Sequence, residues 1–191
     1  MWFLFAIELF VILLFFFLGW LIYYRKKYGL ISGFLNRSKE EQEQLIMNGY
    51  PQKTGFLLMY TAIGMLILLP LCFTPFKYTI EIQFGFMLLF LLGGFVYLSK
   101  YEVPKKRKRS YWISSSIFVI VVSFVSILTF FGYQDFELVI DDHQFTITGV
   151  YGDNWEINEI EQIQLFDEMP KVKWKENGFG LQTLAKGYFT V

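Results

Sequence analysis

The stretch PKKRKRSYWISSSIFVIVVSFVSILTFFGY, residues 104–133, decides how this chain is to be read. Five consecutive basic residues, Lys105–Arg109, stand directly before the unbroken apolar run Tyr111–Tyr133. A helix needs about 20 apolar residues to cross a bilayer, and Lys and Arg collect on its cytoplasmic side. One stretch therefore supplies both a span and a direction.

Three more runs lie upstream. Trp2–Tyr24 carries one charge, Glu8. Gly55–Phe76 is interrupted by Pro70 and followed by Pro75, which should end or kink the helix near its far side. Phe84–Ser99 is short and becomes sufficient if it begins near Ile80, with Glu81 in the headgroup zone. The expected membrane unit is residues 1–133, with spans at about 2–24, 55–76, 80–99 and 111–133. The whole chain is 54% hydrophobic and 21% aromatic.

The formal charge of zero conceals two opposite halves. Residues 1–133 hold 13 Lys and Arg against 6 Asp and Glu, whereas residues 134–191 hold 4 against 11. Twelve of the 13 positive charges fall in two clusters, Arg25–Lys53 and Lys100–Arg109. The link Lys77–Gln83 between them has one Lys and one Glu. Both clusters should be cytoplasmic, with Arg25, Lys26, Lys27 and Lys105, Lys106, Arg107, Lys108, Arg109 as topology determinants and lipid contacts. The N-terminus and everything after Tyr133 then lie outside, in a multi-pass protein of the plasma membrane. Run one is no cleavable signal peptide, because its basic residues follow the apolar stretch and no A-x-A-like site is present.

The first basic loop is ordered. Ser38-Lys39-Glu40-Glu41 is a capping box, in which the Ser38 hydroxyl accepts from the Glu41 N–H and Glu41 reaches back to Ser38. Asn48-Gly49 provides a left-handed end, and Tyr50-Pro51 prevents continuation. A helix over 39–47 follows, its apolar end Leu45-Ile46-Met47 resting on the bundle or the membrane.

After Tyr133 the period changes from continuous to alternating. Phe136, Leu138 and Ile140 precede the turn residues Asp141-Asp142. Phe145 and Ile147 lead to Gly152-Asp153-Asn154, and Trp155, Ile157, Ile160, Ile163 and Leu165 continue the pattern. Met169-Pro170 and Asn177-Gly178 punctuate strands around Val172–Trp174 and Phe179–Leu181. The tail, 134–191, is expected to be a meander of short antiparallel strands.

Two stretches resemble known families. Gly29-Leu-Ile-Ser-Gly33-Phe-Leu-Asn36-Arg-Ser38-Lys39-Glu40-Glu41, between two membrane runs, resembles the signature of the DUF3784 family of small bacterial membrane proteins, which has no assigned activity. The resemblance covers about residues 1–100 and makes Gly29, Gly33, Ser38, Glu40 and Glu41 the motif positions. Phe34-Leu35 departs from the Tyr-Asn the family often has there. The tail, with Ile147-Thr-Gly149-x-Tyr151-Gly152, Ile160-x-x-Ile163, Met169-Pro170, Asn177-Gly178 and Gly187-Tyr188-Phe189, resembles the bacterial PH-like domain that follows membrane helices in Gram-positive proteins. Such domains are longer, so the resemblance implies an incomplete module lacking its last strands and C-terminal helix.

Residues suited to chemistry are few. Glu8 is the one acid inside a spanning run, and an intramembrane carboxylate points to ion or proton handling. With the N-terminus outside, Glu8 lies only ~10 Å along the helix from Met1 and can instead snorkel to the outer interface, pair with the Met1 amine or stay protonated. Ser114–Ser116, Ser123, Ser126, Gly64 and Gly93-Gly94 read as close-packing positions. Cys72 is a membrane cysteine, and its Leu-Pro-Leu-Cys setting lies too far along the chain for a lipoprotein box. His143 is the one histidine, which excludes His clusters and Ser-His-Asp catalysis. Gly178-Phe-Gly180 lacks the third glycine of a dinucleotide loop, and Ser32 has no partner base. No enzyme, cofactor or metal site is expected, and nucleic acid is excluded because the basic cluster is wedged between membrane helices.

The reading is a four-helix membrane protein with a small antiparallel β-rich, PH-like extracytoplasmic module. Its expected role is non-enzymatic: an interaction or regulatory protein whose partners are the lipid bilayer and another membrane or envelope protein or a peptide. The alternatives are an immunity protein against an extracellular peptide toxin and an ion-handling protein using Glu8.

Overall fold

The computed structural model describes residues 2–76, 78–135, 137–149, 152–159, 173–180 and 185–190. Five α-helices run in order: α1 (Trp2–Tyr23), α2 (Lys39–Met47), α3 (Tyr50–Leu68), α4 (Thr79–Leu98) and α5 (Pro104–Tyr133). Four of them, all but α2, are long and apolar enough to cross a membrane. Chain contacts divide the molecule into residues 1–123 and 124–191, a boundary that falls inside α5.

Within the first unit, α1 and α3 pack backbone to backbone. A Cβ at Gly19 would stand 2.7 Å from the Gly55 carbonyl oxygen, and one at Gly55 would stand 3.0 Å from the Gly19 oxygen. Only glycine permits that approach, and close approach is what holds helices together where lipid removes the hydrophobic drive. The same economy recurs between α3 and α4, where the Phe86 ring fills the space over Gly64 and Leu57 that over Gly94. Gly93 is different: a Cβ there would meet only Phe118, at 3.9 Å.

α3 starts at Tyr50, five residues before the apolar run itself. Gly49, at φ +79°, reverses the chain after α2, and Pro51 falls in the first turn of α3, where its missing N–H breaks no helical bond. At the other end Pro70 cannot continue the ladder, and the chain tightens into a 3-10 turn, Leu69–Phe73. The start of α5 also differs from the sequence expectation of 111. Pro104 opens the helix, so Lys105–Arg109 form its first turns rather than a loop. Lys and Arg are good helix formers, and the Val103 carbonyl accepts from the Arg107 N–H at 2.9 Å. Of the described residues of α5 only Gly132 is buried.

In the second unit β1 (Leu138–Ile140), β2 (Gln144–Ile147) and β3 (Asn154–Glu156) form an antiparallel sheet in that order. Leu138 faces Ile147, Ile140 faces Phe145, and Phe145 faces Trp155. The Asp141 N–H closes the first turn on the Gln144 carbonyl, and the Asp141 carboxylate accepts from the Asp142 N–H at 2.8 Å. A second pair, β4 (Trp174–Gly180) and β5 (Ala185–Thr190), is also antiparallel. Here the reading of Asn177-Gly178 as a turn is corrected. Both residues lie inside β4, opposite Tyr188 and Gly187, with a bulge between Lys175 and Asn177 absorbing the irregularity. The strand positions expected at Ile160, Ile163, Leu165 and Val172, and the Met169-Pro170 break, lie outside the described residues.

Candidate functional site

α1, α4 and the 3-10 turn bring three polar side chains together inside the bundle. Glu8 is 3% exposed and Gln83 is fully buried. Both the Gln83 amide N–H and the Cys72 thiol donate to Glu8 Oε2, the thiol at 3.0 Å. The Gln83 amide nitrogen also lies 3.5 Å from the Leu68 carbonyl oxygen at the end of α3. Glu8 stands one turn before Ile12, which packs with Ala62, Met65, Leu69 and Cys72. The carboxyl thus belongs to the face that the Gly19–Gly55 approach draws against α3. Pro70 supplies the rest: by stopping α3 it turns Cys72 inward, where it is 1% exposed.

Of the alternatives open to Glu8, snorkelling is not the one seen: its side chain is enclosed by three chain segments, while Met1 lies outside the described residues. Two oxygens in the cluster, Glu8 Oε1 and Gln83 Oε1, are buried without a protein donor. Among the described residues no Lys, Arg or His forms an ion pair with Glu8. Sequence reasoning gave Gln83 no role: it closes the link Lys77–Gln83 and falls inside the extended span 80–99, and neither reading singles it out. The available signal was an amide within an otherwise apolar helix, α4, four residues past its start.

A second polar cluster sits at the Lys/Arg-rich end. Arg37 forks onto Glu102 with two 2.9 Å bonds, and Glu102 Oε1 also accepts the Val103 N–H at 2.9 Å. Such a bidentate pair is the strongest polar geometry that side chains offer. Lys106 reaches Glu41 at 2.7 Å, and Arg37 lies 3.7 Å from Glu41. The hydrogen bond from the Lys106 ammonium holds the Glu41 carboxyl below its ordinary value. Beneath these contacts Ile22, Ile31, Phe34, Leu45 and Val103 form a small apolar core. The segment after α1, with α2, is thereby fastened over the start of α5.

The motif residues take distinct parts in this cap. Ser38 caps α2, its hydroxyl accepting from the Glu41 N–H at 3.3 Å. Glu41 completes only half of a capping box, because its carboxylate is turned to Lys106 and Arg37 instead of back to Ser38. Gly33 holds φ +73°, a left-handed turn that side-chain-bearing residues resist. A Cβ at Gly29 would press on Leu35 at 3.1 Å. Glu40 is exposed in the first turn of α2, where the helix dipole favours it. Of α2's apolar end, Leu45 is buried and Met47 is 85% exposed.

The basic residues separate into two kinds. Arg25, Lys26 and Lys27 are exposed just past α1, with the Arg25 guanidinium over the Trp20 ring at 5.2 Å. Lys105, Lys106, Arg107, Lys108 and Arg109 are exposed on α5. Lys106 and Arg109 also border a cleft of about 330 Å³ with Arg37, Glu102, Ser110 and Ser114. His143, in the β1–β2 turn, offers its carbonyl to the Ile157 N–H. Among the described residues no group of three His, Cys, Asp or Glu side chains converges as a metal site would require.

Residues 9–102 match the family model described as "Domain of unknown function (DUF3784)". The matched stretch runs from Leu9, inside α1, to Glu102; it takes in the rest of α1, the cap, α3, α4 and the acid that anchors the cap, and begins one residue after Glu8. With four helices of spanning length, the molecule is a multi-pass membrane protein. Neither a curated protein nor a solved structure matches the chain.

Proposed function

We propose that the chain is a non-enzymatic membrane-anchored interaction protein, with a PH-like module on the outer face of the plasma membrane of a Gram-positive type cell. The observation that carries this reading is β1. Leu138, Val139 and Ile140 are 53%, 47% and 66% exposed, on a strand that pairs on one side only among the described residues. A half-buried strand hides alternate side chains; this one hides none. An apolar edge with free backbone groups is a template for an added strand. The partner is an extended segment of another envelope protein or a peptide. Main-chain hydrogen bonds would supply affinity and the three apolar side chains register. The outward orientation is supported by the two Lys/Arg clusters, which fall in alternate connections of a four-span chain and, read as cytoplasmic, leave the tail outside.

The test is co-purification from membranes after crosslinking, comparing the natural chain with Leu138→Lys/Ile140→Lys. Charged residues on an edge blunt strand addition. The reading expects a crosslinked partner to be lost while membrane levels of the protein stay unchanged. The same partners recovered with both chains would overturn it.

A further inference from the structure

We infer that Glu8 and Gln83 form a binding site for one exchangeable monovalent cation, a proton or a sodium ion. The inference is independent of the tail. A carboxylate buried in an apolar bundle carries a large desolvation penalty unless something neutralises it, and no cationic side chain among the described residues does so. The hydrogen bonds are unevenly distributed: Gln83 N–H and Cys72 S–H both point at Oε2. Glu8 Oε1 and Gln83 Oε1 are left as buried acceptors with no protein donor. Two unpartnered acceptors, on side chains already joined by the Gln83 N–H to Glu8 Oε2 bond, call for a positive species at the cluster. A proton on Oε1 makes it a donor, and a sodium ion takes both oxygens as hard ligands.

The surroundings favour the same occupant. α3 breaks at Leu68, and the Leu68 carbonyl oxygen is 3.5 Å from the Gln83 amide. A helix C-terminus carries partial negative charge. Interrupted membrane helices use such ends, with their unwound carbonyls, to coordinate sodium ions and protons. Glu8 Oε2 and the Leu68 carbonyl oxygen both accept from the Gln83 amide nitrogen, so that donor is used and the Gln83 amide oxygen is left without a protein donor. The titratable groups nearest along the chain are Cys72 on the 3-10 turn, Tyr78 just before α4 and Glu81 in its first turn; Tyr23 on α1, Tyr50, Lys53 and Tyr60 on α3, and Tyr97 on α4 are the others on the packed elements.

Infrared difference spectroscopy on the full chain, reconstituted in liposomes, tests this directly. The signal of Glu8 is identified by its loss in Glu8→Gln, with Glu81→Gln as the control that retains it. The expected result is a protonated-carboxyl band that disappears on raising the pH. If sodium also competes, adding sodium chloride at fixed pH removes the band where potassium chloride does not. A response to pH alone assigns the proton as occupant. Gln83→Leu, which removes one of the two oxygens, should shift the pH midpoint and abolish any sodium effect. A Glu8 band unchanged across pH and by either salt would overturn the proposal, leaving a permanently neutral acid that serves packing.

Discussion

Glu8 and Glu102 are equally buried, each 3% exposed, yet their surroundings differ in kind. Glu102 receives a guanidinium fork and a backbone N–H, so its charge is met on every side. Glu8 receives an amide and a thiol, both on one oxygen, and no cation among the described residues. The first is the chemistry of a fastener: a matched pair joins the segment before α2 to the start of α5 across 65 residues of chain. The second is a buried carboxyl that no described cationic side chain meets. Equal burial therefore does not mean equal chemistry; the partners set the two acids apart.

The comparison breaks most visibly at Arg37. Arg37→Leu strands the Glu102 carboxylate in a buried position, which costs about 3–5 kcal/mol. The thermal midpoint in detergent should fall sharply, and limited proteolysis should open the segment between Lys39 and Lys53. Adding Glu102→Leu should restore much of the loss, since no buried charge then remains. Equal losses in the single and double variants would mean that the fork is not what holds the cap.

Glu8→Leu is expected to come next. It removes the acceptor of the Gln83 N–H and leaves a buried amide unsatisfied, a cost of about 1–3 kcal/mol. Glu8→Gln should show no such loss, because its amide keeps the acceptor and supplies the donor that Gln83 Oε1 lacks. A stable Glu8→Gln beside a weakened Glu8→Leu is the pattern expected of an acid that does not depend on an ion pair. Melting both variants in parallel separates them.

Ser38→Ala should cost about 1 kcal/mol by removing the α2 cap, read as faster cleavage within the loop. Lys106→Ala is expected to be smaller still, its pair with Glu41 being half open to water. Its signature is in pH. The Glu41 carboxyl is held below its ordinary value of 4.5 by Lys106, so the contact stabilises fully above that value and is lost as acid carries the pH through the lower, folded one. In Lys106→Ala that acid dependence should flatten; an unchanged acid limb would exclude the contact.

What could be read from the sequence follows the range of the forces involved. The limits of α2 rest on Ser38 and Asn48-Gly49, residues within or beside the helix itself, and the four apolar runs follow from composition. The start of α5 was obscured because Lys105–Arg109 carry a topological signal and a helical propensity at once. Arg37–Glu102 and Glu8–Gln83 are separated by 65 and 75 residues, and no local pattern reports such pairings. Gln83 stands at the edge of an apolar run, where a single amide carries no local signal of its own burial. Its burial depends on which face of α4 meets α1, which three-dimensional packing decides.

The account's functional reading requires the β-strands and the cap to lie on opposite sides of the membrane. Single cysteines at Ser38 and Asp142, each in a Cys72→Ser background, can be challenged with a membrane-impermeant thiol reagent on intact cells. Both positions are exposed, so access depends only on side. Labelling of Asp142→Cys, with protection of Ser38→Cys until the cells are opened, is the expected result. Labelling of Ser38→Cys with protection of Asp142→Cys would contradict it.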